Sequence, residues 1–452
     1  MAEIFLGVVA DDFTGASDAA SMLAEAGVPT VLFNGVPEQM PVLREDIRAI
    51  VVAEKSRTIP AAEAVDVMLT AFHWLHEIGA RQLYFKYCAT FDSTQKGNIG
   101  PVADAVLQQY DFPYTLLVPA LPVNGRTVKN GMLFVNGVPL AESHMRNHPL
   151  TPMTESKVCR LMEMQSKYKA YHISLRELET WNSEPAALAE YQKLHAGKQQ
   201  TKYYLVPDYF EDAHGDLIAD IFGDLPFLTG GSGLLGALGR RFMRMHSELL
   251  NTIVDVGVVN DRKQSTVISG VTAEKLNGGI EKGKALLLAG SCSAITLNQI
   301  SDYAAKGKTT IFLDPVKLVN GRINITTILT EVEAAGDGVL VYSSQNPEEL
   351  RRTQELGLER VSEKLEMTMG MLARSVVEAG YTRIISAGGE TSGAVTKALG
   401  YTAFYIGKNV APGVPIMTPV ENDKLRIVLK SGGFGQKDFF ERAVEMTKNG
   451  GK

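Results

Sequence analysis

The residues with the clearest chemical potential stand where apolar runs stop. Ile4 to Ala10 is apolar and is followed at once by Asp11, Asp12, Phe13, Thr14 and Gly15. Paired carboxylates at the end of a strand can orient a hydroxyl, accept its proton or hold a metal. One of the two could instead cap the following helix, because aspartate is a favoured N-cap. A second run, Ala49 to Ala53, leads into Glu54, Lys55, Ser56 and Arg57. Arg57 there offers a planar fork suited to a substrate carboxylate. A third, Gln82 to Tyr87, carries Lys86 among apolar residues, where an unpaired ammonium is costly. A partner among Asp11, Asp12 and Asp92 is therefore expected. The loop after it, Thr90 to Asn98, gathers Asp92, hydroxyls, Lys96 and glycine ahead of a helix, a set suited to an anionic polyol.

The C-terminal part of the chain carries different chemistry. Gly290-Ser291-Cys292-Ser293, Gly388-Gly389-Glu390-Thr391-Ser392-Gly393 and Ser431-Gly432-Gly433-Phe434-Gly435 each end a strand and precede a helical pattern. Glycine lets backbone N–H groups approach phosphate, and a helix N-terminus adds partial positive charge. One such turn is ordinary; their clustering points to a nucleotide. The segment Lys408 to Pro415 reads as a rigid loop bordering the same pocket. Two other patterns imitate nucleotide motifs. Gly278 to Ala285 nearly fits a Walker A loop, but Ala285 replaces the Mg²⁺-binding hydroxyl and the segment runs into a strand instead of following one. GSGLLG, Gly231 to Gly236, is a literal G-x-G-x-x-G, but it comes late in its domain and lacks a clear βαβ unit. Close helix packing is its plainer reading, and a dinucleotide-dependent oxidoreductase is the alternative it keeps open. No H-E-x-x-H or G-x-S-x-G occurs, so neither a zinc site nor a serine hydrolase is expected.

Positioning these groups requires an α/β fold. Short apolar runs alternate with helical patterns almost throughout, which implies parallel strands joined by helical crossovers. Asn-Gly pairs at 124, 130 and 136 interrupt the rhythm and predict a β-hairpin excursion in the first domain. The expected organisation is two domains, each a largely parallel sheet flanked by helices: residues 1–250, a linker or insertion at 251–284, and residues 285–452. A length of 452 residues accommodates this, and 45% hydrophobic and 21% charged residues suit a folded globular chain. A net charge of −6 gives no footprint for nucleic acid. Three well-separated cysteines make neither a disulfide framework nor a metal site, which suggests a reducing, cytoplasmic setting. No signal peptide or membrane-spanning run is seen.

The ordered set ADDFTGASDAA, FDSTQKGNIGPV, TGGSGL, AGSCS, SAGGETSG, APGVP and LKSGGFG resembles the four-carbon acid sugar kinases over nearly the whole chain. YFKYCATFDSTQKGNIGPV, PALPVNGRTV and LAESHMRNHP are most similar to the 3-oxo-tetronate 4-kinase branch, with threonate and erythronate kinases as close alternatives. The resemblance implies a sugar-acid-binding N-terminal domain and an ATP-binding C-terminal domain. It implies ATP contacts at Ser291, at Gly388, Gly389, Glu390 and Thr391, and at Gly433. It also implies a sugar-acid site around Asp12, Arg57, Asp92 and Lys96, to which Asp11 and Lys86 are added on position. The expected reaction is transfer of the γ-phosphoryl group of ATP to a terminal hydroxyl. Asp12 is the first choice of base and Asp92 the second, and Mg²⁺ is held chiefly by phosphate oxygens and water, with no protein metal site. The expected partners are the sugar acid and ATP, without nucleic acid or membrane, and a homo-oligomer is compatible with the sequence. A sugar-acid-binding protein without catalysis is the remaining alternative.

Overall fold

In the computed structural model, which describes residues 3–148, 151–196, 202–246, 283–354 and 357–448, the chain divides into two compact units, Met1–Ser247 and Glu248–Lys452. Most of the anticipated linker at 251–284, and with it the Walker-like segment up to Lys282, lies outside the described residues.

The first unit begins with β1 (Leu6–Ala10), α1 (Phe13–Glu25), β2 (Thr30–Asn34), β3 (Ala49–Ala53), α2 (Ala61–Glu77), β4 (Gln82–Lys86), α3 (Ile99–Gln109) and β5 (Tyr114–Val118). An antiparallel excursion follows: β6 (Arg126–Lys129), β7 (Met132–Val135) and β8 (Val138–Pro139). The unit ends with α4 (Val158–Glu163), β9 (Lys169–Ile173), α5 (Leu175–Ser183), α6 (Pro185–Ala196), β10 (Tyr203–Pro207), α7 (Asp212–Phe222), β11 (Phe227–Gly230) and α8 (Ser232–Met245). Its main sheet runs β2-β3-β1-β4-β11-β5-β10-β9, and every neighbouring pair is parallel. The central strands are buried along their length, as sheets covered on both faces require; β1 is LGVVA without one exposed residue. In the excursion, Asn130-Gly131 and Asn136-Gly137 all have positive φ, the conformation that two-residue hairpin turns demand.

The second unit contains β12 (Ala285–Ala289), α9 (Ala294–Ala305), β13 (Thr310–Phe312), α10 (Pro315–Val319), α11 (Ile325–Ala335), β14 (Val339–Tyr342), α12 (Pro347–Gln354) and α13 (Leu358–Glu378). It continues with β15 (Arg383–Ala387), α14 (Gly389–Leu399), β16 (Ala403–Ala411), β17 (Val414–Pro419), β18 (Arg426–Lys430) and α15 (Phe439–Lys448). Strands β13-β14-β12-β15-β18 are parallel, and β17 and β16 continue the order antiparallel. The segment Lys408 to Pro415 is therefore no loop. It is the tip of the β16–β17 hairpin, turning at Pro412-Gly413, where Gly413 has φ +75°. Proline and glycine signalled the turn correctly but concealed the strands beside it.

Both units place their first strand between a strand reached on one side and a strand reached on the other: β1 lies between β3 and β4, and β12 between β14 and β15. Such a reversal of strand order opens a crevice beyond the carboxyl ends of the strands, where ligands of open α/β sheets bind.

Candidate active site and nucleotide pocket

In the first unit the crevice is filled by charge. Asp11 is buried, and Arg57 grips it with two parallel hydrogen bonds, Nε to Oδ2 and Nη2 to Oδ1, both 2.9 Å. The remaining arm of the guanidinium, Nη1, lies 2.8 Å from Asp12 Oδ2. The fork expected to meet a substrate carboxylate is thus already engaged by two protein carboxylates, and it fixes both. Backbone bonds from Ser56 and Arg57 N–H to the Asp11 carbonyl tie the two loops together. Asn98 donates from its side chain to the Ser56 carbonyl at 2.7 Å, holding the Arg57 loop from below.

Asp12 has two roles at once. Its Oδ1 accepts from Gly15 N–H as the N-cap of α1, while Oδ2 faces Arg57. Burial pushes its carboxyl above the ordinary aspartate range, Arg57 pulls against that shift, and Asp11 adds to it. Gly15 completes the arrangement. A Cβ there would come 2.7 Å from Asp12 Oδ1 and 3.3 Å from Lys86 Nζ. Its missing side chain leaves open the spot where a carboxylate, an ammonium and a guanidinium converge.

Lys86 is buried at the end of β4, yet its partner is none of the three acids named from sequence. Its ammonium donates to the Tyr87 carbonyl at 3.0 Å and lies 4.0 Å from Asp18 on α1. Burial raises the Asp18 carboxyl, and Lys86 opposes that rise. Asp18 is half-buried on α1 one turn beyond Gly15, and helical spacing alone did not single it out as the partner of Lys86. Asp92 is held by Thr90, whose hydroxyl donates to Oδ1 at 2.7 Å. Phe91 and Asp92 have φ of +65° and +25°. Two consecutive non-glycine residues in the left-handed region cost roughly 1–3 kcal/mol each and collect at functional sites. The Cys88 thiol is pushed up to about 11 by burial and by Asp92, with Arg57 opposing, which puts all three in one electrostatic neighbourhood. Lys96 is exposed in the same loop, outside the cluster of ion pairs.

In the second unit two of the three glycine turns line one cavity; the third, Ser431–Gly435, is not part of its lining. A cavity of about 520 Å³ is lined by Gly290, Ser291 and Cys292 after β12 and by Gly388, Gly389, Glu390 and Thr391 after β15. Gly388 needs its glycine twice over. Its φ is +131°, and a Cβ would sit 3.0 Å from Ser291 N. At Gly389 a Cβ would meet nothing within 4 Å. Two walls went unnoticed in the sequence. Ser343 and Gln345 follow β14, and Val361, Leu365, Glu366 and Met369 form a stripe along α13. The Ser431–Gly433 turn abuts the cavity at Ser291, whose hydroxyl would be 2.2 Å from a Cβ on Gly432. Gly433 itself faces open space. Among the described residues no group of three or more His, Cys, Asp or Glu is arranged to hold a metal ion.

The G-x-G-x-x-G imitation does open a helix after a strand, α8 after β11. Its glycines serve packing: added Cβ atoms would lie 2.6 Å from the carbonyls of Pro119 (Gly231) and Ala120 (Gly233), and 2.9 Å from Met22 Cε (Gly236). None of that space is left for a dinucleotide.

A buried charge cluster at one switch point and a glycine-lined cavity at another are the two kinds of site that a two-unit carbohydrate kinase needs. The sequence agrees: residues 6–238 match a sugar-binding N-terminal domain and residues 286–440 a nucleotide-binding C-terminal domain. It is 40% identical to a 3-oxo-tetronate kinase of Actinobacillus succinogenes, over 98% of this chain and 100% of that one. A 3-oxo-tetronate kinase of Haemophilus influenzae is likewise 40% identical, over 98% and 99%. A crystal structure of a Haemophilus influenzae protein superposes with a TM-score of 0.79 at 39% identity, covering 97% of this chain and 99% of that one. A solved Salmonella typhimurium structure also gives 0.79, at 36% identity over 97% and 98%. The chain belongs to the four-carbon acid sugar kinase family.

Proposed function

We propose that this protein transfers the γ-phosphoryl group of ATP to the C4 hydroxyl of 3-oxo-tetronate, giving 3-oxo-tetronate 4-phosphate. The observation that carries the reading is full-length similarity to proteins named 3-oxo-tetronate kinase, in a chain with both an acid–base cluster and a glycine-lined cavity. We assign the sugar acid to residues 1–250 and ATP to residues 285–452. Three cysteines without a disulfide suit a reducing cytoplasm.

Phosphoryl transfer is mostly positioning and charge stabilisation. Asp12 is the base: it is fixed by its cap and by Arg57, and burial makes its carboxyl more basic than usual. Lys86, whose ammonium donates to the Tyr87 carbonyl and lies 4.0 Å from Asp18, is the cation offered to an incoming sugar carboxylate, while Arg57 neutralises Asp11 and Asp12. Asp92, on its strained turn, holds a substrate hydroxyl or serves as the second candidate base. The cavity of the second unit fits ATP in its chemistry. The apolar stripe Val361, Leu365 and Met369 offers a surface for the base, and the glycine turns with Ser291 and Thr391 offer donors to phosphate. Mg²⁺ would travel with the phosphates and neutralise their charge, and Glu390, in the first turn of α14 on the cavity wall, would hold its waters.

ADP release measured across 3-oxo-tetronate, threonate and erythronate isomers tests the substrate. The highest kcat/KM is expected for the 3-oxo acid; a clear preference for threonate or erythronate overturns that choice and leaves the kinase intact. The nucleotide position is tested at Gly389. Because nothing lies within 4 Å of the added atom, Gly389→Val should fold normally and project its side chain into the space meant for phosphate. ATP affinity should fall at least tenfold, a loss of about 1.4 kcal/mol or more. Sugar-acid binding should be unchanged. Wild-type ATP affinity by calorimetry would move the nucleotide elsewhere.

A further inference from the structure

Lys430 ends β18 as a buried cation with no carboxylate partner among the described residues. Its relative exposure is 2%, and its stem passes Phe439 of α15, with the ammonium 5.5 Å from the ring centroid. Among the described residues the ammonium donates to neutral oxygens alone: Thr296 Oγ1 at 3.1 Å, the Ser431 carbonyl at 3.3 Å and the Gly432 carbonyl at 3.5 Å. Two hydroxyls reinforce the last contact, Ser293 Oγ at 2.6 Å and Thr296 Oγ1 at 3.1 Å. Three donors therefore hold one carbonyl. In a trans peptide the C=O and the next N–H point in opposite directions, so clamping the Gly432 carbonyl toward α9 turns the Gly433 N–H away from it. Gly433 is exposed and has no neighbour that a side chain would touch.

We infer that Lys430 is the buried counter-charge and positioning residue of the nucleotide's phosphates, aiming the Gly433 amide at them while its own ammonium gains an anion only when nucleotide is bound. This rests on the nucleotide site proposed above. A buried ammonium surrounded by neutral dipoles is an unfavourable arrangement for a resting protein, and a polyphosphate above the turn relieves it. Among the described residues no acid is paired with Lys430. Helix α9 presents Ser293 and Thr296, α15 presents Phe439, β15 presents the backbone of Ala387 and Gly388, β17 pairs on the other side of β18, and α14, which also packs on β18, carries Glu390 in its first turn at the cavity wall without an ion pair to Lys430. Asp302, farther along α9, is engaged by Lys306 and Lys437. Burial alone lowers the Lys430 ammonium to about 8, with no charged group contributing.

The consequence is a proton linked to ATP binding. Anion binding favours the charged ammonium, so affinity is full below pH 8 and declines as the pH rises through that value. Calorimetry with ATP and with AMP at pH 7.5 and 9.5, in two buffers of different ionisation enthalpy, reads this directly. Cys292 is replaced by serine in every protein compared, so that the thiol on the cavity wall contributes no proton. The ATP Kd of this background should rise about tenfold between the two pH values, with net proton uptake near pH 8.5. Lys430→Met keeps the stem and removes the charge. It should bind ATP at least tenfold more weakly at pH 7.5, lose both the pH dependence and the proton uptake, and bind AMP with a much smaller change. Lys430→Arg should keep the affinity at pH 7.5 within a few fold and be flat to pH 9.5. A flat profile in the background protein, or an unaltered profile in Lys430→Met, overturns the inference while ATP binding stands. Absence of ATP binding in the unmodified protein overturns the nucleotide site and this inference together.

Discussion

Asp12→Asn should lower kcat by roughly 10²–10⁴-fold, the usual worth of a general base, while KM for the sugar acid changes much less. Asparagine keeps the oxygen that accepts from Gly15 N–H, so the start of α1 should survive. What disappears is the carboxylate facing Arg57 and the lone pair able to take the proton of the C4 hydroxyl. The wild-type pH profile should show the same group. Because burial raises the Asp12 carboxyl, the acid limb of kcat/KM should lie above the ordinary aspartate range, activity being lost as the pH falls through it. Asp12→Asn should remove that limb. If Asp12 only capped the helix, kcat would stay near wild type. The same substitution at Asp92, which also keeps its hydrogen bond to Thr90, would then be the one to abolish turnover. A rise in KM at constant kcat would make Asp12 a substrate-holding residue.

How much of this was legible before the structure depends on whether a residue's neighbours are local. The apolar run ending in Asp11-Asp12 announces a buried parallel strand and its carboxyl end, because a strand covered on both faces has no polar alternative. The glycine turns were legible for a similar reason: Gly388 answers a backbone requirement, a positive φ against Ser291 N, that only glycine meets. Pairings across the fold were not. Lys86 demanded an acid, but which one depends on how α1 lies on the sheet, and the helix supplied Asp18. Arg57 looked like a substrate fork because the bidentate geometry that recognises a ligand carboxylate also recognises Asp11. The apolar stripe of α13 was invisible as a cavity wall, since Val361, Leu365 and Met369 have the spacing of any core-facing helix. Lys430 was passed over inside RIVLK, where a strand-end lysine reads as a surface charge; only its burial and its neutral partners distinguish it.

Arg57→Met should cost the first unit about 3–5 kcal/mol at pH 7, the usual penalty for leaving a buried charge without its partner. The orphan is Asp11, whose side chain is 4% exposed and whose two oxygens both receive Arg57. Asp12 loses the same neutralising group, so two carboxylates face one another across the space the guanidinium occupied. The loss should depend on pH in a definite direction. Burial and Asp11 raise the Asp12 carboxyl, and Arg57 is the main group pulling it down; without Arg57 it rises further. A carboxyl raised in the folded state binds more protons there than in the unfolded chain. Stability then falls as the pH rises from the unfolded aspartate value through the folded one. The deficit of Arg57→Met relative to wild type should therefore be greatest at neutral pH and shrink toward pH 5, as read from urea denaturation at both values. Arg57→Lys should recover only part of it, because an ammonium is a point charge and cannot bond Asp11 twice while reaching Asp12. Equal deficits at pH 5 and pH 7 would mean that the guanidinium acts by packing, and the case for Arg57 as the charge that sets the basicity of Asp12 would fail with it.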